Sequence, residues 1–162
     1  MLMAKVLVTG MSGTGKSSAL AELGRRGYRV VETDDPGWSE WVESPNEVLG
    51  GEWLWVEDRM AELLRSDDGG TLFVAGCVWN QAKFYDRFDA VVLLSAPAEI
   101  ILDRIAGRKT NDWGKTPAER ALILHQLATV EPLLRADCTH ELDATRPLAE
   151  VVTDLIDIAQ PD

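Results

Sequence analysis

Eight residues near the start of the chain leave the backbone little choice. Gly10-Met11-Ser12-Gly13-Thr14-Gly15-Lys16-Ser17 fits the spacing G-x-x-x-x-G-K-S/T and lies between an apolar stretch and a helix-forming one. Val6-Leu7-Val8 ahead of it reads as a short buried strand, and Ser17 to Leu23 behind it combines helix formers with an apolar face. Glycines let such a loop wrap an anion with successive N–H groups pointing inward, and the helix that follows adds its positive N-terminal end. A triphosphate is the anion this cradle fits. Lys16 is spaced to reach the β- and γ-phosphates, and the Ser17 hydroxyl to ligate the accompanying Mg²⁺; Gly10, Ser12, Gly13, Thr14, Gly15 and Ser18 complete the expected ATP contact. The loop says less about the reaction, because switches, motors, transporters and kinases share it.

At 162 residues and 46% hydrophobic content the chain is expected to form one domain, residues 1–162, with a core of its own. Its net charge of −11, from 27 acidic and 16 basic residues, argues against a nucleic-acid polymer as partner. No apolar run approaches the ~18 residues a membrane helix needs, and no signal-type N-terminus is present, so a cytoplasmic location without membrane contact is expected. Monomer and homodimer stay open. Cys77 and Cys138 lack C-x-x-C spacing and lie in or beside expected strands, which reads as buried thiols rather than a disulfide or metal pair. His125 and His140 have no partner at metal-ligand spacing, and no Ser-His-Asp set is visible.

Strand and helix signals alternate along the whole chain, the pattern of a parallel sheet covered on both faces. Strands are expected at 6–8, Arg29 to Glu32, Leu72 to Ala75, Ala90 to Leu94 and near Cys138 to Leu142. Helices are expected from Ser17, over Glu52 to Arg65, over Pro97 to Gly107, from a capping box at Thr116-Pro117-Ala118-Glu119 to about Leu134 with a break or kink at Pro132, and over Pro147 to Ala159. Asp67-Asp68-Gly69-Gly70 reads as a turn, and the polar run Arg108 to Lys115 as a mobile loop.

Three segments carry a family resemblance: the loop at Gly10 to Ser17; Asp103-Arg104-Ile105-Ala106-Gly107-Arg108-Lys109; and Arg120 through Glu131-Pro132-Leu133-Leu134 to the Asp143-Ala144-Thr145-Arg146-Pro147 stretch. They are similar to the small P-loop kinases of the adenylate kinase and shikimate kinase group. That resemblance implies a three-layer α/β P-loop NTPase fold, a five-stranded parallel sheet with helices on both faces, and a short lid at approximately 108–116. It implies that Arg104 stacks on adenine, that Arg108 engages phosphates, that Arg120 clamps the transferring phosphoryl group, and that Arg146 and Pro147 belong to the loop against which adenine packs. Phosphoryl transfer spreads negative charge over the moving group, so cations and a water-excluding lid are what the chemistry asks for.

Departures from the resemblance are informative. Adenylate kinases place an aspartate at the end of the third strand and an arginine soon after; Ala75-Gly76-Cys77-Val78-Trp79 offers neither. The second strand instead ends Glu32-Thr33-Asp34-Asp35, similar to the D-x-D pattern of shikimate and gluconate kinases. Glu32 and Asp34 are therefore candidate Mg²⁺ organisers, and Asp34 the candidate base toward an acceptor hydroxyl, although Asp-Asp-Pro-Gly is also good turn chemistry. The acceptor-binding region is expected at approximately 34–66, where Trp38, Trp41, Trp53 and Trp55, with Trp79 further on, suit a ring-bearing acceptor, and Arg59, Asn80 and Gln81 are candidate polar anchors. The expected activity is transfer of the ATP γ-phosphoryl group to a small-molecule hydroxyl or nucleoside monophosphate. The alternative is a noncatalytic or slowly hydrolysing ATP-binding regulatory module.

Overall fold

The β-branched and aliphatic runs form strands that alternate side chains between two apolar layers. In the computed structural model, which describes residues 4–45, 50–66, 70–109 and 111–160, β1 (Lys5–Thr9) leads into the glycine loop and α1 (Lys16–Arg25). β2 (Arg29–Glu32) follows, then β3 (Ser39–Glu43), β4 (Gly51–Trp55) and α2 (Glu57–Arg65). β5 (Leu72–Ala75) is followed by a 3-10 helix at Gln81–Arg87, then β6 (Ala90–Ser95) and α3 (Ala98–Gly107). The chain continues through α4 (Pro117–Thr129), α5 (Glu131–Asp137), β7 (His140–Asp143) and α6 (Leu148–Ala159).

Five strands pair in the order β2-β5-β1-β6-β7, all parallel, so the chain leaves every strand at the same, carboxyl end of the sheet. Along β1, Val6 and Val8 face one layer and Leu7 the other, as the two-residue period of a strand requires. The first layer joins Val6, Val8, Phe73, Val92 and Leu94 to Ala19, Leu20 and Leu23 of α1 and to Val152 and Leu155 of α6. The second joins Leu7, Leu72, Val74 and Val91 to Met60, Leu63 and Leu64 of α2, with Trp55, Phe84 and Phe88. Each fully buried aliphatic side chain contributes roughly 1.5–3 kcal/mol, which is ample reason for the strands to be apolar on both faces. This is the α/β three-layer fold the sequence predicts.

Three expected elements differ in detail. The expected helix at Glu52 to Arg65 divides into β4 and α2, because residues 51–55 pair antiparallel with β3 as a hairpin outside the main sheet. The expected long helix breaks at Val130 into α4 and α5, with Pro132 in the first turn of the new helix, where its missing N–H costs nothing. The last strand starts at His140 rather than Cys138. Cys77 and Cys138, expected to be buried, are half-buried free thiols. The turn expected at Asp67 to Gly70 lies largely outside the described residues. Among the described residues, no helix is long and apolar enough to cross a membrane.

Candidate active site

The glycine loop passes so close under β6 that its first position admits no side chain. Gly10 has φ +148°, and a Cβ there would stand 2.5 Å from the Leu94 carbonyl oxygen. Thr14, buried, donates its hydroxyl to the Met11 carbonyl at 2.8 Å and holds the loop's curl. Lys16 Nζ folds over the same loop, donating to the carbonyls of Gly10 at 2.6 Å and Met11 at 3.0 Å. Burial pushes the Lys16 ammonium below its ordinary pKa, while Cys77, Asp34 and Glu32 nearby oppose that shift and Arg108 adds to it. An ammonium whose partners are loop carbonyls in a low-dielectric setting is poised to exchange them for phosphate oxygens.

Beside it, Ser17 donates its hydroxyl to Glu32 Oε2 at 2.9 Å, and the Asp34 amide donates to Glu32 Oε1 at 3.4 Å. Burial raises the Glu32 carboxyl above its ordinary pKa, against the lowering effect of the Ser17 bond. A hydroxyl and two carboxylates at the end of β2 suit a hydrated Mg²⁺, which takes its other ligands from phosphates and water; among the described residues there is no cluster of three or more His, Cys, Asp or Glu that would cage a metal by itself.

A cavity of about 530 Å³ opens over this loop. Ser12 through Ser18 and Asp34 line one side of it. Arg104, Ala144, Arg146 and Leu148 line the far end, with Arg108 and Asn111 on the lid side. Arg104 donates to the Ala144 carbonyl at 2.5 Å, tying α3 to the loop after β7. Arg146 is held by Asp154 at 2.5 Å and Glu150 at 3.3 Å of α6. Arg108 donates to the carbonyls of Asn111 at 3.2 Å and Trp113 at 2.8 Å, and Lys115 Nζ returns to the Arg108 carbonyl at 2.6 Å. The lid is thus crossed by its own hydrogen bonds, with Thr110 outside the described residues.

Most of the residues picked from sequence therefore meet around one cavity. Gly10 lies behind the loop, Glu32 joins through Ser17, and Pro147 stands between two lining residues. Arg120 is the exception: it sits in the first turn of α4, half-buried, and is not among the cavity's lining residues. Asn80 and Gln81 are also not ligand anchors. The Asn80 amide accepts from the Trp55 N–H at 2.8 Å and donates to its carbonyl at 3.1 Å, mimicking a neighbouring strand. Gln81 donates to Thr9 at 3.0 Å and to Tyr85 at 2.8 Å and accepts from the Val78 N–H at 2.9 Å, so both side chains are spent on the protein. Arg59 stacks on Trp38, its guanidinium carbon 3.9 Å from the ring centroid. Sequence reasoning did not single out Asn111, although it lies in the expected lid, nor the lining residues Leu94, Ala144, Leu148 and Val151.

Just beyond the end of β5 the backbone is packed too closely to admit a side chain. A Cβ at Gly76 would collide with Thr33 Oγ1 and come within 3.3 Å of Trp55 Nε1. Thr33 and the buried Trp55 fill the space that a side chain would need.

With this geometry in place, comparison with known proteins assigns the class. Residues 6–125 match the family model described as AAA domain, and the chain belongs to that family. The relatives it resembles in sequence and fold are small-molecule P-loop kinases. Shikimate kinase 2 of Yersinia enterocolitica is 28% identical over 94% of this chain and 94% of its own length. Shikimate kinase from Acinetobacter baumannii, solved with shikimate, superposes with a TM-score of 0.66 at 16% identity, covering 96% of this chain and 92% of that one. A gluconokinase from Sinorhizobium meliloti gives 0.62 at 23% identity, covering 98% and 92%.

Proposed function

We propose that the chain is an ATP-dependent kinase that transfers the γ-phosphoryl group to a hydroxyl of a small molecule. The observation that carries this reading is Asp34: a carboxylate lining the same cavity as Lys16, two residues beyond the strand whose Glu32 holds Ser17. Lys16 and Arg108 supply positive charge to the moving group, and Arg104 with the Ala144 to Leu148 segment forms a slot for the base. Asp34 accepts the proton of the attacking hydroxyl. Ser17 with Glu32 and Asp34 would hold Mg²⁺, which would neutralise phosphate charge. The stretch Ala75 to Trp79 supports a hydroxyl over a nucleoside monophosphate, since it lacks the arginine that adenylate kinases place there for the acceptor's phosphate.

The test is ADP release with MgATP across sugars, sugar acids, aminocyclitols, nucleosides and nucleoside monophosphates. Acceptor-dependent ADP, abolished by Asp34→Asn, is the expected result. ATP binding with no acceptor raising turnover would replace the kinase with a nucleotide-binding module.

A further inference from the structure

The hairpin between β2 and α2 has a chemistry of its own. From Glu32 to Asp58 the chain carries nine acidic residues and no lysine, arginine or histidine. The next cation, Arg59, is stacked on Trp38. In the hairpin register, Ser39 faces Trp55, Trp41 faces Trp53 and Glu43 faces Gly51, so by strand alternation these six share one face. Its root turns toward the carboxyl ends of the main sheet: Ser39 donates to the Thr33 carbonyl at 3.1 Å, and Trp55 lies 1% exposed beside Gly76. Trp55 Nε1 has no hydrogen-bond partner there.

Further out the same face is open. Trp41 and Trp53 pack edge to face at 5.6 Å yet remain 41% and 54% exposed. Trp79, 52% exposed, lies alongside, its backbone N–H donating to the Trp53 carbonyl at 3.3 Å. Glu43 closes the outer end. Gly51 is required for the wall, since a Cβ there would stand 2.7 Å from the Trp41 ring. Three solvent-facing indoles are a costly surface for a folded chain to keep without use. An indole wall edged by carboxylate, in a segment without cations, is the chemistry that recognises an organic ammonium: ring faces attract the cation and the acid completes the pairing.

Resting on the kinase reading above, we propose that the acceptor is a hydroxyl-bearing organic cation of the amino sugar or aminocyclitol class. Its ring face lies against Trp41, Trp53 and Trp79, its ammonium toward Glu43, and a hydroxyl toward Asp34. A sugar acid or nucleoside monophosphate would bring its negative charge into the most acidic stretch of the chain.

Two readouts separate the acceptor class from the reaction. Tryptophan fluorescence is titrated with 2-deoxystreptamine, with its N-acetylated form and with gluconate, and MgATP-dependent ADP release is followed with the same compounds. The diamine is expected to bind at least about tenfold more tightly than the acetylated form, equivalent to ~1.4 kcal/mol, and gluconate not to saturate. Glu43→Lys, a change at an exposed position, is expected to weaken diamine binding by about tenfold, with ATP affinity as the internal control. Tighter binding of gluconate, equal binding of the acetylated form, no binding of any amine, or indifference to Glu43→Lys overturns the proposal. Amine binding without ADP release overturns the kinase reading alone, and ADP release with gluconate but without amine binding overturns the acceptor class alone.

Discussion

The nucleotide side and the acceptor side of this crevice are built on opposite principles. Four cations, Lys16, Arg104, Arg108 and Arg146, line the nucleotide cavity, and all stand on the loops and helix ends that leave the parallel sheet. The proposed acceptor side is an excursion from that sheet, a two-stranded hairpin of tryptophan and glutamate fastened at its root by Asn80 and Ser39. Backbone geometry dictates the first, so it can vary little while phosphate is the ligand. The second is side-chain chemistry on an independent hairpin, where specificity can change without disturbing the cradle.

The sharpest way to break this division is at Lys16. Lys16→Ala should reduce phosphoryl transfer by about 10³-fold or more, since it removes a cation aimed at developing charge. The fold should survive, because the Nζ bonds only to loop carbonyls. Steady-state ADP assays with circular dichroism as control decide it, and unchanged turnover would remove the loop from the chemistry.

Asp34 lies where the two sides meet. Asp34→Asn should lower kcat by about 10² to 10³ while ATP affinity stays within about twofold, the signature of a base rather than a phosphate ligand. Equal losses in kcat and ATP binding would make it a turn residue rather than a base.

The two sides also differ in how far the sequence announced them. The loop could be read because Gly10 to Ser17 answers to fixed backbone needs, and the strands because their side chains are apolar on both faces. The hairpin was not legible: Glu52 to Arg65 is rich in helix formers, and residues 51–55 become a strand through pairing with Ser39–Glu43 and through the Asn80 side chain, both tertiary effects. Arg120 resembles a family position by its place in the order of elements, whereas lining the cavity also depends on how α4 packs. Asn80 and Gln81 looked like loop polar groups available to a ligand, and burial turned them into structural ties.

Gly76 tests whether the acceptor side could be converted. Gly76→Asp, which puts an acid just beyond the end of β5, should destabilise the fold by ~1–3 kcal/mol through overpacking against Thr33 and Trp55, without giving turnover of AMP. Thermal unfolding and AMP-dependent ADP formation measure both, and a stable, AMP-active variant would show that the hairpin does not set the acceptor.

Glu32 gives the smallest effect, in which stability and function oppose each other. Burial raises its folded pKa above the ordinary value of 4.5. Between those two values the folded chain keeps a proton that the unfolded chain has lost, so stability falls as pH rises through that window and stays lower above it. Glu32→Gln removes this dependence and can retain a bond to Ser17. In the absence of nucleotide the variant should therefore melt slightly above the parent at neutral pH, and the gap should close as pH falls to 4.5 and below. MgATP affinity should move the other way, dropping by about tenfold, the usual cost of losing a partner that orients a metal-binding hydroxyl. For the parent, acidification should weaken MgATP binding from a higher pH than an exposed carboxylate would allow. Melting curves and MgATP titrations across pH decide the matter: if the variant melts lower at neutral pH, Glu32 is a structural anchor of Ser17 rather than a carboxylate kept under strain for the metal.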